Sequence, residues 1–286
     1  MANETELANI THATDVASPI FSRALLEQVK VLPFVNDMGM PTNTNTMLVG
    51  KEGSVTAEAG SESTAYTFSA NSEYTETEVS LTAVRTEVVI KNTVESQKFG
   101  GRSGSNDFMA MKAGEAIGRK LDGDVKTLFS GFSSSETATS TLTNTEIIDS
   151  GTTVRAALAD DGVLVTFLDY KGIGELQIVQ SASQAAIYAN PNIPNLVRGY
   201  NGASGYVGEF SGLQLYATSG LPTDTGDDVG LTFNPRLAFV GIYDSAPVID
   251  VIKVRSGGFW DEVSAYIFSD VAEWNDGAGC KVLSDT

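Results

Sequence analysis

The chain has few of the residue types on which catalytic and metal sites most often depend. It holds one cysteine, Cys280, and one histidine, His12, among 286 residues. A single cysteine cannot form an intramolecular disulfide or a cysteine metal cluster, so a buried, unreactive thiol is the default expectation. A zinc site or a nucleophile-histidine pair built around one histidine in a polar segment is also disfavoured. We therefore predict no cofactor, no metal and no catalytic residues.

Basic residues are also scarce, because 18 Lys and Arg stand against 36 Asp and Glu, which gives a net charge of −18. Proteins that bind nucleic acid strongly neutralise phosphates with Lys and Arg. Sequence-specific DNA binding is therefore not expected. The acidic excess favours solubility and repulsion between monomers. A second reading is that such an acidic surface, if it surrounded DNA, would repel the DNA and leave it free to move.

Long apolar runs are missing, since none approaches the ~20 residues that span a membrane. The opening residues, MANETELANITHATD, have neither the basic start nor the apolar core of a secretory signal. No membrane association is expected. The hydrophobic content of 42% is ordinary, and the length suffices for one or two well-packed domains.

Short motifs that resemble ligand sites fail on their spacing. The loop GGRSGS at 100–105 lacks the Lys-Ser/Thr end of a phosphate-binding loop, so a plain turn is expected. Three aspartates in TDTGDDVG, residues 223–230, could hold Ca²⁺, but they do not match an EF-hand, and a solvated turn is favoured. There is no G-x-S-x-G elbow.

The clearest positive feature is an acidic, Thr/Ser-rich arm, which includes six acidic residues and one basic residue, Lys51, between Leu48 and Ser80. After Glu76 the alternation is clean, with Val79, Leu81 and Ala83 on one face. The parity flips at Val84, which indicates a bulge or a change of environment. We predict a strand pair that reaches away from a body, joins it near Val84 and needs a neighbour to lie on.

Two helices flank this arm. Ser18 and Pro19 begin a predicted helix that runs to Val31. A longer helix is predicted from Asp107 to Phe129, capped by Ser105 or Asn106, with an apolar stripe at helical spacing. Its three glycines, at 114, 118 and 123, indicate either close packing against another backbone or a helix that bends.

The remaining chain alternates short elements. Residues 130–145 and 188–212 are predicted to be loop-rich, 221–230 an exposed turn, and 177–189 a strand followed by a helix. The other predicted elements are a helix at 149–158 and strands at 163–168, 213–217, 237–243, 248–255 and 262–268.

In this order the elements resemble the major capsid protein of tailed bacteriophages, whose fold is shared with the herpesvirus shell floor. The passage GEFSGLQLYATSGLP, Gly208 to Pro222, is similar to a glycine-rich strand passage late in the axial domain of that family. The resemblance covers about residues 18–284 and implies an α+β fold. One feature of the family is missing, because no long coiled-coil scaffolding region precedes the arm in this sequence.

The resemblance implies a division into four parts. Residues 1–32 would be an N-terminal arm with a short helix. Residues 33–130 would hold the extended loop, at about 48–80, together with peripheral-domain strands and a spine helix at about 105–130. Residues 131–243 would form an axial domain, and residues 244–286 would return to the peripheral domain.

The resemblance also implies a function. The chain would assemble with itself as hexamers and pentamers into the icosahedral shell of a virion, enclosing double-stranded DNA, with assembly in the host cytoplasm. Its other partners would be a portal, a decoration protein and a separate scaffolding protein. Lysine-to-asparagine cross-linking, known in some members, is not favoured. The candidate inter-subunit contacts are Lys51, Glu58, Glu62, Tyr66, Phe68 and Arg102.

Two other classes stay open at this point. A tail-tube, sheath or surface-layer subunit would also assemble, but a lone central helix is unusual for a mostly β tube protein. A carbohydrate-acting or carbohydrate-binding protein needs an aromatic-lined cleft, and the aromatic residues here are dispersed along the chain.

Overall fold

The computed structural model describes residues 19–51, 77–101, 105–138, 141–158, 162–176, 205–224, 226–244, 247–254 and 260–284. Its helices are α1 at residues 19–28, α2 (Val94–Phe99), α3 (Asn106–Thr127), α4 (Asn144–Leu158) and α5 at residues 170–176. Short 3₁₀ turns lie at Leu32–Phe34, Leu128–Gly131 and Asp276–Ala278. The α+β class expected from the sequence is confirmed.

Fourteen strands are present within the described residues. They are β1 (Asn36–Asp37), β2 (Thr46–Lys51), β3 (Thr77–Thr82), β4 (Val84–Thr93), β5 (Ser135–Thr137), β6 (Leu164–Asp169), β7 (Tyr206–Phe210), β8 (Leu213–Thr218), β9 (Thr223–Asp224), β10 (Asp227–Phe233), β11 (Phe239–Tyr243), β12 (Val248–Val254), β13 (Trp260–Glu273) and β14 (Gly279–Ser284).

A five-stranded sheet is built around the long strand β13. Strand β4 pairs antiparallel along one side of β13, while β12 and β11 pair with successive parts of its other side, and β1 extends β11 in parallel. Alternate residues of β13 face α3, which buries Val263, Ala265 and Ile267 together with Ile117 and Leu121 of the helix. This period-two pattern is what buries one sheet face and leaves the other open to a different partner.

A seven-stranded sheet forms the other half, in the order β5-β14-β10-β6-β8-β7, with β9 paired to β10. Helix α4 packs on one side through Ile147 and Val154. On the other side, aromatic rings join the two sheets: Phe239 of β11 lies 5.1 Å from Phe233 of β10 and 6.0 Å from Phe129, measured between ring centroids. This shared core holds the two sheets together.

The remaining pair, β2 and β3, forms a separate two-stranded antiparallel sheet at the base of the predicted arm. The predicted parity flip is confirmed. Up to Thr82 the chain pairs with β2, and from Val84 it pairs with β13, so Ala83 marks the change of sheet. The buried set changes accordingly, from Leu81 and Ala83 in the first sheet to Val88 and Ile90 in the second.

Close packing is the confirmed reason for two of the three glycines of α3. A Cβ on Gly114 would lie 2.5 Å from the Phe21 carbonyl oxygen, and one on Gly118 would lie 2.7 Å from the Leu25 carbonyl oxygen. The backbone of α1 therefore rests directly on α3. At Gly123 a Cβ would meet nothing within 4 Å.

Several predicted elements need correction. The segment 221–230 is not an exposed turn, because β9 and β10 form a tight hairpin there and Val229 is fully buried. Its aspartates hid the strand, since they lie at the hairpin end while Gly226, with φ +103°, makes the turn. Strands β5 and β7 likewise lie in regions predicted as loops. Residues 177–189 lie outside the described residues.

The predicted division at residue 243 does not follow the sheets. Strand β11, expected in the axial domain, pairs with β13 in the five-stranded sheet. Strand β14, expected to return to the peripheral domain, pairs with β10 and β5 in the seven-stranded sheet. Strand β14 belongs to the seven-stranded sheet because its Cys280 and Val282 are buried there, against α4.

Candidate subunit interface

The base of the arm is mounted firmly on the five-stranded sheet. Val49 and Leu81 pack against Val240 and Ile242 of β11. The Trp274 Nε1–H donates to the Gly50 carbonyl oxygen at 3.0 Å. Since one face of β2–β3 is buried in this way, the direction in which the chain leaves Lys51 and returns at Thr77 is fixed by the body.

Backbone hydrogen bonds add to this mounting. The Thr82 N–H donates to Asp270 Oδ2 at 2.6 Å, and the Ala83 N–H donates to the Asn45 carbonyl oxygen at 2.7 Å. Leu48, on the opposite face of β2, is 61% exposed. A large apolar side chain held outward on a fixed strand is typical of a surface that another protein covers.

The predicted contact residues fall mostly on the arm beyond this base. Lys51 is the last residue of β2, and its backbone pairs with Thr77. The other five, which are Glu58, Glu62, Tyr66, Phe68 and Arg102, lie outside the described residues. Their role as contacts therefore stays a prediction.

A buried ion pair joins α3 to the segment that follows α1. Asp122 Oδ1 accepts hydrogen bonds from the backbone N–H groups of Lys30 and Val31, at 2.7 and 2.6 Å. Its other oxygen lies 2.7 Å from Lys126 Nζ, which also donates to the Ser219 carbonyl oxygen at 2.8 Å. Both side chains are buried. This pair connects α1, α3 and the end of β8, which belong to different halves of the molecule.

Sequence reasoning missed this pair, although a signal was available. Asp122 and Lys126 stand four residues apart on α3, next to the apolar stripe residues Leu121 and Val125. A carboxylate on the inner side of an amphipathic helix is rarely buried unless it is paired.

The outer face of the five-stranded sheet, opposite α3, carries two cations over aromatic rings together with the acidic residues Glu87, Asp250 and Glu262. Lys91 Nζ lies 3.6 Å from the Trp260 ring centroid, and the Arg85 guanidinium lies 4.3 Å from that of Tyr266. Val89, between them on the same strand, is 56% exposed. The arm base covers only the Phe268 end of this face, so the rest is open within the described part of the chain.

Titratable groups in the described residues offer little for catalysis. Burial raises the pKa of the Cys280 thiol to about 12, so the thiol is neutral at physiological pH and unreactive, as expected. Burial, and next the charge of Asp169, raise the pKa of Asp228 in the hairpin β9–β10. Asp224 Oδ2 lies 3.4 Å from Lys281 Nζ. No cluster of three metal-ligating side chains occurs among the described residues.

The described ranges contain no helix that is a candidate for a transmembrane span. None of their helices is both long enough and apolar enough to cross a bilayer.

Comparison with known proteins gives a clear result for the fold and none for the sequence. No protein-family model matches this chain, and no curated protein matches it. Among solved structures, a chain from Mycobacterium phage Che8 aligns with a TM-score of 0.64 at 12% identity, covering 88% of this chain and 89% of that chain.

Two further solved structures give the same picture. The capsid of Ralstonia phage GP4 aligns with a TM-score of 0.62 at 10% identity, covering 88% of this chain and 86% of that one. The capsid of a native GTA particle aligns with a TM-score of 0.64 at 7% identity, covering 91% of each chain. The chain has the fold of tailed-phage major capsid proteins, which confirms the resemblance given by the order of its elements.

Proposed function

We propose that this chain is the structural subunit of a tailed-phage capsid shell, with no enzymatic activity of its own. One observation carries the proposal: the fold it shares with phage capsids extends over nearly the whole of both chains. A match of that extent leaves few described residues for an added catalytic module. At such low sequence identity, the function must be tested directly.

The mounted arm base supports this proposal physically. Strands β2 and β3 form a pair on the body, and residues 52–76 connect Lys51 to Thr77 along the sequence. We propose that this extended loop overlaps a neighbouring copy, with Tyr66 and Phe68 as apolar contacts and Glu58 and Glu62 facing basic groups. Lys51 and Arg102 are proposed as further contacts. A strand pair with little core of its own gains most from such a neighbour.

The open outer sheet face offers that neighbour a surface. Val89 is 56% exposed, and Trp260 and Tyr266 lie on the same face, which suits an aromatic-bearing segment such as the arm. The charges of the face are mixed, because Glu87, Asp250 and Glu262 accompany Arg85 and Lys91, and Arg85 already pairs with Glu87 at 2.7 Å. Apolar and aromatic contact, rather than net charge, therefore favours arm-on-sheet contact between copies.

The proposed assembly, contents and partners of the shell follow from the class of capsid subunits. Copies would form hexamers and pentamers that close into an icosahedral shell around double-stranded DNA, without sequence-specific binding, and the shell would be assembled in the host cytoplasm. The acidic surface, with −18 charges per chain, would face DNA without holding it. A portal, a decoration protein and a separate scaffolding protein are the proposed partners.

The direct test is electron microscopy of the purified chain, with light scattering alongside, at low and high salt. Closed shells, or rings of five and six, are expected. High salt should favour them, because screening reduces repulsion between subunits that each carry −18 charges. A monodisperse monomer that is indifferent to salt would contradict the proposal, and tubes would point to a tail protein instead.

A deletion tests the arm separately. Removing residues 54–74 leaves β2, β3 and their packing on β11 in place, so the subunit should still fold. Assembly should be lost. A matched control replaces the same residues with a flexible Gly/Ser linker of equal length, which keeps the connection but removes the side chains. Shells that form normally from either variant would contradict the arm's proposed role.

A further inference from the structure

One exposed aromatic side chain marks one end of the five-stranded sheet. Phe99, the last residue of α2, is 86% exposed, more than any other large apolar side chain among the described residues. Lys98 beside it is also exposed. Helix α2 follows β4 directly, and the end of β4, Thr93, pairs with Trp260 at the start of β13. Phe99 therefore lies near the end of the sheet where β13 begins.

An apolar cleft of about 520 Å³ lies where β11 meets β12, beside the middle of β13. Leu25 and Leu26 of α1 and Val29 just after it form one wall, and Ile267 and Pro247 contribute to the other. Leu26 is 69% exposed. The volume is within the range of pockets that take a small organic group, so one aromatic ring fits. We call this space the α1 cleft.

The polar groups of the α1 cleft are acidic or neutral. Asp37 and Asp244 are among its lining residues, and none of its lining residues is Lys or Arg. Tyr243 also lines the cleft, but its hydroxyl is buried beside Gly241. An occupant that combines an apolar ring with an ammonium group would match both the walls and the carboxylates.

We propose that the Lys98–Phe99 tip of one copy docks in the α1 cleft of the next copy. The ring would fill the apolar space, and the ammonium would face Asp37 and Asp244. Glu95, the acidic residue of α2, stands in its first turn, so the charge next to Phe99 is that of Lys98. This inference rests on the proposed self-assembly of the chain.

The placement of the two patches supports a ring. Trp260 marks the Phe99 end of β13, and Ser269, which pairs with Tyr243, marks the position of the cleft. Nine residues of strand separate them, which is roughly 30 Å at ~3.3 Å per residue. A contact between different patches of identical chains is head-to-tail, and it closes into a ring when the rotation between copies allows.

Cysteine cross-linking tests the contact. The double variant Phe99→Cys/Leu26→Cys places one thiol on each patch, and the native Cys280 is buried. Mild oxidation of assembled protein should give a ladder of disulfide-linked oligomers on a non-reducing gel, which neither single variant should give. The pair Phe99→Cys/Val163→Cys is the control, because Val163 is similarly exposed but does not line the cleft.

A second measurement avoids engineered thiols. Phe99→Ala should leave the melting temperature unchanged, since the ring is exposed in the isolated chain, and should raise the subunit concentration needed for assembly about tenfold or more. Lys98→Gln should raise it less, and the effect should shrink at high salt.

The possible outcomes distinguish a failure of the proposed docking from a failure of the proposed capsid function. Normal particles that give no ladder, or an unchanged assembly concentration for Phe99→Ala, would overturn the docking while leaving the capsid proposal standing. Failure of the unmodified chain to assemble would overturn the capsid proposal itself. An intrachain disulfide in Ile10→Cys/Leu26→Cys would show the chain's own N-terminal segment in the cleft, which also overturns the docking.

Discussion

At the scale of single residues, the Asp122 carboxylate makes an unusual number of connections. It accepts two short backbone hydrogen bonds from the segment after α1 and pairs with Lys126, which in turn reaches Ser219. A buried ion pair is weak evidence of net stabilisation, because desolvation offsets much of the attraction. Removing one partner is nonetheless costly, because it leaves the other charge buried and unpaired.

Asp122→Asn should therefore destabilise the subunit by about 2–4 kcal/mol, chiefly through the unpaired Lys126 ammonium. Urea unfolding of the unassembled subunit measures this change. Asp124→Asn is the matched control on the same helix, since Asp124 makes an exposed ion pair with Lys120, and it should cost at most about 0.5 kcal/mol. Equal effects at the two positions would mean that Asp122 does not act as a connector.

The Cys280 thiol gives a prediction about pH. Burial raises its folded pKa to about 12, above the ordinary thiol value of 9.0, so the folded chain keeps a proton that the unfolded chain releases. The contribution of this group is fully present below pH 9 and is lost as pH rises towards 12, at up to roughly 1.4 kcal/mol per pH unit. The difference in unfolding free energy between the native chain and Cys280→Ala should shrink across that window, and the native thiol should resist alkylation until urea is added.

At the scale of elements, the glycines of α3 provide a comparison within one helix. Gly114→Ala should destabilise the subunit by about 1–3 kcal/mol, because the new Cβ would lie 2.5 Å from the Phe21 carbonyl oxygen and push α1 away. Gly123→Ala should instead stabilise it by up to ~1 kcal/mol, because its Cβ meets nothing and alanine favours the helix. Thermal unfolding of both variants tests this contrast. Shifts of the melting temperature in the same direction would contradict close packing of α1 on α3 at Gly114.

The elements also show how far sequence reasoning reaches. The arm base, the spine helix α3 and the flip at Val84 were predictable, because each depends on local periodicity and on one clear break in it. Strands β10 and β14 were not. Strand β10 begins in an acidic hairpin, and β14 has only six residues, of which Cys280 and Val282 become buried only once α4 and β10 are in place.

The candidate site was harder to predict than the fold. Five of the six residues chosen from the sequence belong to the predicted arm, because its composition stands out, and Arg102 belongs to the loop before α3; all but Lys51 fall outside the described residues. The outer sheet face depends on the register of β4 against β13, which sets Lys91 diagonal to Trp260 and Arg85 diagonal to Tyr266. No single-strand pattern carries that information, since register is a property of two strands together.

At the scale of the whole molecule, the two sheets exchange strands from distant parts of the chain. Strand β14 lies between β5 and β10, so the seven-stranded sheet is complete only with residues 279–284. Ending the chain after residue 278 should expose the apolar edge of β10 and yield insoluble protein. Adding a synthetic peptide of residues 279–284 to the refolding mixture should restore part of the soluble fraction, and a soluble truncated chain without it would contradict this view.

The position of β14 has a consequence for timing during synthesis. The five-stranded sheet, α3 and the arm base can form as soon as residues up to 274 have left the ribosome, but the neighbouring sheet must wait for ten further residues, of which the last six form β14. The seven-stranded sheet of a nascent chain is therefore incomplete until residue 284 has left the ribosome. Polysomes crowd many growing chains together, and until β14 covers it, the unpaired edge of β10 is the place through which half-made copies would join one another wrongly.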